Sequence, residues 1–407
     1  MKYRLTLVAA VTAVIGGWLI VMPGSVLTLA LRMSEFGEAT NTTDYSAILA
    51  LGWLTLIVSL IAIGKMSDAL LRRYSTRRYL LLIAMPILVI AALILMTAST
   101  PEALGAGWIL IQVPAATIIA TALATAGDSI PLGKRGLASG FLGAAPILSL
   151  LLGTALIRFL QSDINLALFF APILGLVLTI PLSVIRIHPP RSSTPEISPP
   201  PSSTKRIPDR RWISAWLAFL IAGFLLSWST STANSYITLF VEFNSTLLEP
   251  DVASRATFLV LIATVTAIAG SVVGGLLSRS RSRSAVVFGS ATAVVGIAMA
   301  IIVIFPDPWG LTIGALILGI GFGFANGSEF ALALSVNESS DALGKNLGTL
   351  TATTSVPYVL VPALATFLLQ DSPATGLVTL FLWAALAAFI GATIAFTLMR
   401  THVRSRT

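Results

Sequence analysis

An acidic side chain in the middle of an apolar run is the strongest chemical signal in this sequence. Glu329 lies within residues 309–336, three positions after Asn326 and eight before Asn337. A carboxylate at membrane depth is costly in its charged form. That suits a group that takes up a proton in one setting and returns it in another, so Glu329, with Asn326 beside it, is the candidate proton-coupling pair. The pair is expected on the side of the helix away from Gly327. Gly327 continues a ridge with Gly319 and Gly323 that suits close helix packing. The ridge is expected to face a neighbouring helix and the polar pair a central pathway. The competing reading is a structural glutamate, paired with an arginine or a helix end.

Other polar positions are candidates for touching a solute. Trp18 follows Gly16 and Gly17 and offers a ring for stacking. Gln112 is an amide within an apolar stretch, and Asn234 and Tyr236 follow the hydroxyl-rich run 227–232. Thr354 and Tyr358 flank Pro357. Against each stands ordinary packing, or a hydroxyl bonded to its own helix backbone. Several chemistries are excluded. Cysteine is absent and the only histidines are His188 and His402, both outside apolar segments, so no disulfide, metal site or Ser/His/Asp set is available. A Walker loop is also missing. Neither a cofactor nor a metal is expected, and the chain does not read as an enzyme.

The elements that must position these groups follow from composition. Of 407 residues, 56% are apolar and 10% charged, and mean hydropathy is +0.92. A soluble domain carries roughly 25% charged residues, so this chain cannot coat a water-facing surface of its size. Twelve apolar runs are long enough to span a bilayer, at 5–31, 46–66, 79–98, 103–126, 137–160, 165–187, 212–241, 255–277, 285–305, 309–336, 346–369 and 374–399. The expected fold class is an all-α membrane protein, with the lipid bilayer as its solvent. Placing both termini in the cytoplasm puts 22 of the 25 lysines and arginines inside. The net charge of +8 therefore reflects orientation, and nucleic acid is not an expected partner. Tryptophans 53, 108, 212, 309 and 383 lie nearer the ends of runs and read as interface anchors.

Residues 188–211 hold seven prolines and many serines, and read as a cytoplasmic linker. It divides the chain into six spans in 1–187 and six in 212–400, with a tail at 401–407. A constant offset of 211 pairs Gly64 with Gly275, Ser67 with Ser278, Gly133 with Gly344, Lys134 with Lys345 and Pro146 with Pro357. Each pair occupies the same place in its half, which points to a duplicated six-helix unit of the kind transporters use.

The segment after the second span reads Gly64-Lys-Met-Ser-Asp68-Ala-Leu-Leu-Arg72-Arg73. It resembles the signature loop of the major facilitator superfamily, with Ala69 in place of an arginine and Leu71 in place of a glycine. Gly64 would admit a close helix, Asp68 would cap or pair at a helix end, and the arginines would anchor at headgroups, together latching the cytoplasmic side. Plain positive-inside charge is the blander reading. The second-half copy, Gly275 to Arg279, has no aspartate. After the fourth span comes Asp128-Ser-Ile-Pro131, then Arg135-Gly136 and Gly140, which is again similar to the facilitator pattern and adds Asp128 and Arg135 to the gate. Together with Gly344-Lys345-Asn346-Leu-Gly348 this looks like the glycoside–cation symporter and sucrose-transporter-like branch.

That resemblance implies two six-helix bundles, alternating access, and proton-coupled symport of a small, sugar-like solute by a monomer in a bacterial inner (plasma) membrane. Proton-coupled efflux of drugs or metabolites is the alternative. The arginine of many proton/drug antiporters is missing from the fourth span, and their Gly-Pro pair from the fifth.

Overall fold

The structure, a computed structural model, describes residues 2–34, 36, 42–160, 164–185, 210–244, 251–337, 342–370 and 372–403. Among these no strand occurs, and twelve helices are long and apolar enough to cross a membrane. The first span is α1 (Lys2–Pro23), continued through a π-helical turn at Gly24–Thr28 into α2 (Leu29–Ser34). Spans two to six are α3 (Thr42–Tyr74), α4 (Arg78–Thr97), α5 (Pro101–Ser129), α6 (Arg135–Phe159) and α7 (Ile164–Val184). Spans seven to ten are α8 (Arg210–Asn244), α9 (Asp251–Leu277), α10 (Arg281–Ile304) and α11 (Pro308–Val336). Span eleven is broken at Val356 into α12 (Leu343–Ser355) and α13 (Pro357–Leu368), where a proline cannot donate to the helix ladder. The last span is α14 (Pro373–Val403).

The expected linker lies outside the described residues as far as position 209, and α8 already begins at Arg210. Of the expected tail, residues 401–403 continue α14 and 404–407 lie outside the description.

Packing repeats between the halves. The pairs α1·α7, α3·α5, α4·α5 and α4·α7 recur as α8·α14, α9·α11, α10·α11 and α10·α14. The halves meet through α3 on α12 and through α6 on α9 and α11. These contacts need small residues. A Cβ on Gly64 would strike the Gly344 carbonyl, and one on Gly275 would strike Gly136 and Gly140. The Gly319–Gly323–Gly327 ridge rests on the backbone of α9 at Ala263, Ala267 and Ser271.

Trp108, near the start of α5, packs against Gly24 and Gly52, and Pro23 packs against Gly153. These four places therefore share one face. The N-terminus, the α3–α4 turn and the end of α5 lie toward the other, here called the N-terminal face. Two of the expected anchors are corrected by this packing. Trp108 is buried because glycines on two other helices make room for it, and Trp53 is buried in a stack on Tyr358, with ring centroids 5.1 Å apart. Trp309 and Trp383 are exposed on the outer surface, and the Trp212 side chain lies outside the description.

Candidate functional site

At the N-terminal face the signature segment is helix, not loop. α3 continues through Tyr74 because Ala69, Leu70, Leu71, Arg72 and Arg73 are all good helix formers. The chain reverses only at Ser75, whose φ of 54° is left-handed. The reversal brings Arg77 under the end of α3. There Arg77 donates from Nη1 to Asp68 Oδ1 at 3.0 Å and to Ser67 Oγ at 2.6 Å, and from Nε to Asp128 Oδ2 at 2.9 Å. Asp68 also accepts from the backbone N–H groups of Gly344 at 2.9 Å and Lys345 at 2.8 Å. These belong to the first turn of α12, where four amides have no partner within the helix. A carboxylate from the first half thus caps a helix of the second, with the helix dipole in its favour.

The arrangement alters the expected gate. Gly64, Asp68 and Asp128 are in it. Arg72 and Arg73 are exposed at the end of α3, where Arg73 stacks over Tyr74. Arg77 is the cation that pairs with Asp68 and Asp128. Arg135 opens α6 beside Gly136, which lies against the Gly275 and Ser278 carbonyls. Among the described residues the second half shows no equivalent clasp. The offset of 211 maps Asp68 onto Arg279 and Arg77 onto Phe288, and Ser278 donates only to Gly274 in its own helix.

Behind the clasp are two chambers. The nearer one, of about 610 Å³, is lined by Val14 and Trp18 from α1, Leu123 from α5, Gly143 from α6, Asn326 and Glu329 from α11, and Leu347 and Thr354 from α12. Leu347 is one turn beyond Gly344, so the clasp lies between this acidic chamber and the N-terminal face. No cationic group lies within ion-pair distance of Glu329 among the described residues, so the arginine-paired alternative fails on geometry. Its carboxyl lies beside Gly223 of α8, where an added methyl would stand 3.7 Å from Glu329 Oε1. Asn326 donates to the Phe322 carbonyl at 2.9 Å.

The second chamber, of about 850 Å³, lies toward the opposite face between α6 and the helices of the second half. Met22, Ile147, Leu150, Ile237, Leu259 and Phe322 make its walls apolar. Thr230, Asn234, Thr264 and Tyr358 are its polar members. Pro146 lines both chambers, so they abut at mid-span.

Of the six solute-contact candidates, Trp18 and Thr354 line the acidic chamber and Asn234 and Tyr358 the apolar one. Tyr236 instead packs with Val361, Ala365 and Leu380 inside the second half. Gln112 is buried among the core of α5 and lines neither chamber, and its amide atoms have no partner. Phe330 and Thr351 of the acidic chamber were not singled out in the sequence. Spacing alone gives them away: they lie one position after Glu329 and one turn before Thr354.

Comparison with known families and proteins adds one result. The sequence profile described as Major Facilitator Superfamily matches residues 6–342. A search of curated proteins found no match.

Proposed function

We propose that this chain, which belongs to the Major Facilitator Superfamily, couples the movement of a small organic solute to protons by alternating access. Family membership makes it an integral membrane protein and a secondary transporter of some solute, rather than an enzyme. The observation that carries the proton coupling is Glu329, the one titratable group among the residues lining the acidic chamber, placed between the two halves without a cationic partner. Asn326 sits beside it as the second member of the pair. The clasp of Asp68, Arg77 and Asp128 on the first turn of α12 serves as the gate that holds the N-terminal face shut. Gly64 sets the approach of the two helices, and Arg135 flanks the second seam. In this reading Trp18, Thr354, Asn234 and Tyr358 contact the solute.

The resemblance in the loops suggests symport of a sugar-like solute, whereas the apolar lining of the larger chamber favours a second reading, proton-coupled efflux of drugs or metabolites. Purified protein in liposomes is expected to show proton flux that depends on added solute, followed by an enclosed pH dye. Solute uptake with no accompanying proton movement would reduce the protein to a uniporter.

The distribution of basic residues supports a cytoplasmic N-terminal face. Gly133 offers a clean probe, because an added side chain there meets nothing within 4 Å and the chain has no native cysteine. A Gly133→Cys variant is expected to resist an impermeant maleimide in intact cells and to label fully once the membrane is opened. Labelling from outside intact cells would reverse the orientation.

A further inference from the structure

We infer that the solute is an amphipathic organic monocation, whose ammonium pairs with Glu329 while its apolar body fills the apolar chamber. This rests on the carrier reading above and narrows it.

The first ground is charge. Neither chamber has a lysine, arginine or histidine in its lining, and Glu329 is the only charged residue in either. An anionic solute would meet a carboxylate with nothing to offset it. A cationic one supplies the missing countercharge, which a buried carboxylate needs.

The second ground is the hydrogen-bond inventory. In the acidic chamber the Thr351 hydroxyl donates to the Leu347 carbonyl at 3.1 Å and the Thr354 hydroxyl to the Leu350 carbonyl at 3.2 Å. Asn326 commits one amide hydrogen to Phe322. In the apolar chamber Thr230 donates to Ser227 at 3.3 Å and Thr264 to Val260 at 2.7 Å. With their hydrogens engaged, these hydroxyls offer lone pairs to a ligand. The inventory is weighted toward acceptors, which suits a donor-rich head such as an ammonium. Trp18 and Phe330 add aromatic faces in the same chamber, a further attraction for a cation.

The third ground is placement. The chambers meet at Pro146, so one molecule can set its head against Glu329 and its body among Ile147, Leu150 and Phe322.

One carboxylate then has two competing occupants. When it is ionised it pairs with the cation, and when it is protonated it has no charge to offer. Cation binding to the protonated form releases one proton to solvent, and charge balances. Among the described residues no other charged group lines either chamber, and those of α1, α5 and α12 (Lys2, Arg4, Glu102, Asp128 and Lys345) lie toward helix ends. The charged residues of the helices packed on α11 lie toward helix ends: Arg135 and Arg158 in α6, Asp251 and Arg255 in α9, Arg281 and Arg283 in α10. In α8 they are Arg210, Arg211 and Glu242. Tyr358 is the one titratable group in the lining of the neighbouring chamber. Proton and solute therefore exclude each other at Glu329, which makes the coupling an exchange.

The test uses matched probes on the purified full chain: 2-naphthylethylamine against 2-naphthylethanol, tryptamine against tryptophol, and glucose. Calorimetry in buffers of different ionisation enthalpy reads both affinity and protons released. The amines are expected to bind about tenfold or more tighter than their alcohols, with proton release and with affinity lost as the pH falls. Glu329→Gln is expected to abolish both the preference and the proton release, and Glu329→Asp to keep them. Equal binding of amines and alcohols by the wild-type protein overturns the inference, whatever the variants do. If solute-driven proton flux persists in liposomes in that case, the carrier reading stands without it. Amine binding with proton release but no flux in liposomes would instead support the cation site and remove the carrier reading.

Discussion

Asp68→Asn is expected to lower transport at least tenfold while leaving the folded yield close to normal. Asp68 is only 4% exposed and receives three donors: the Arg77 guanidinium and the amides of Gly344 and Lys345. An asparagine has one acceptor oxygen in place of two, and its NH₂ must face another donor. Removing one partner of a buried ion pair costs about 3–5 kcal/mol. Arg77 keeps Asp128, so the lower end applies, and about 3 kcal/mol corresponds to roughly a hundredfold in a population ratio. The loss falls on the clasped state, because only there do the α3 and α12 groups meet. A single cysteine at Thr351, in the acidic chamber, reports on this. In Asp68→Asn it is expected to label faster from the N-terminal face. Ser278→Ala, at the matching place in the second half, is expected to change little, since that hydroxyl bonds only its own helix. Wild-type transport together with unchanged labelling in Asp68→Asn would remove the gate.

Glu329→Gln is expected to separate exchange from accumulation. Glutamine keeps the size and the hydrogen bonding of a protonated glutamate but cannot release a proton. A carrier locked in that form still changes face. For an uncharged solute it should exchange labelled for unlabelled molecules at near the wild-type rate, whereas for a cation it should bind weakly. In either case gradient-driven movement is expected to fall to the passive level. A purely structural glutamate predicts lower folded yield and lower binding together. Gradient-driven transport retained at the wild-type level would end the coupling assignment.

Much of the architecture was legible because the bilayer imposes it. Every apolar run of sufficient length became helical, and the two halves repeat one pattern of helix pairs. Glu329 and Asn326 both line the acidic chamber, and the glycine ridge rests on a neighbouring helix; Glu329 is turned away from that ridge, whereas Asn326 stands only about 100° around the helix from Gly327. The failures were non-local. Arg72 and Arg73 follow Asp68 in sequence, but both are exposed at the end of α3. Arg77 reaches Asp68 only because Ser75 turns the chain back. Trp108 looked like an anchor because its fit depends on Gly24 and Gly52, in two other helices. Tyr236 and Gln112 carry polar atoms at membrane depth, as Asn234 and Tyr358 do. Which of them faces a chamber depends on the rotation of each helix, and polarity alone does not reveal it.

Among the described residues the clasp occurs on one seam, and Arg279 and Phe288 stand where its partners would be on the other. Such an imbalance cannot give a passive carrier a preferred direction, because without a gradient the forward and reverse fluxes must be equal. What it can do is make the two entrances differ in sensitivity. Apparent affinity at each entrance is the intrinsic affinity reduced by the fraction of molecules open there. With the N-terminal face held shut at rest, solute arriving from the opposite face finds most carriers ready and saturates them at low concentration. Solute on the N-terminal face must wait for the rarer open form, and saturates only when abundant. The concentration range over which each side responds is thus set by one aspartate and the two backbone amides it caps.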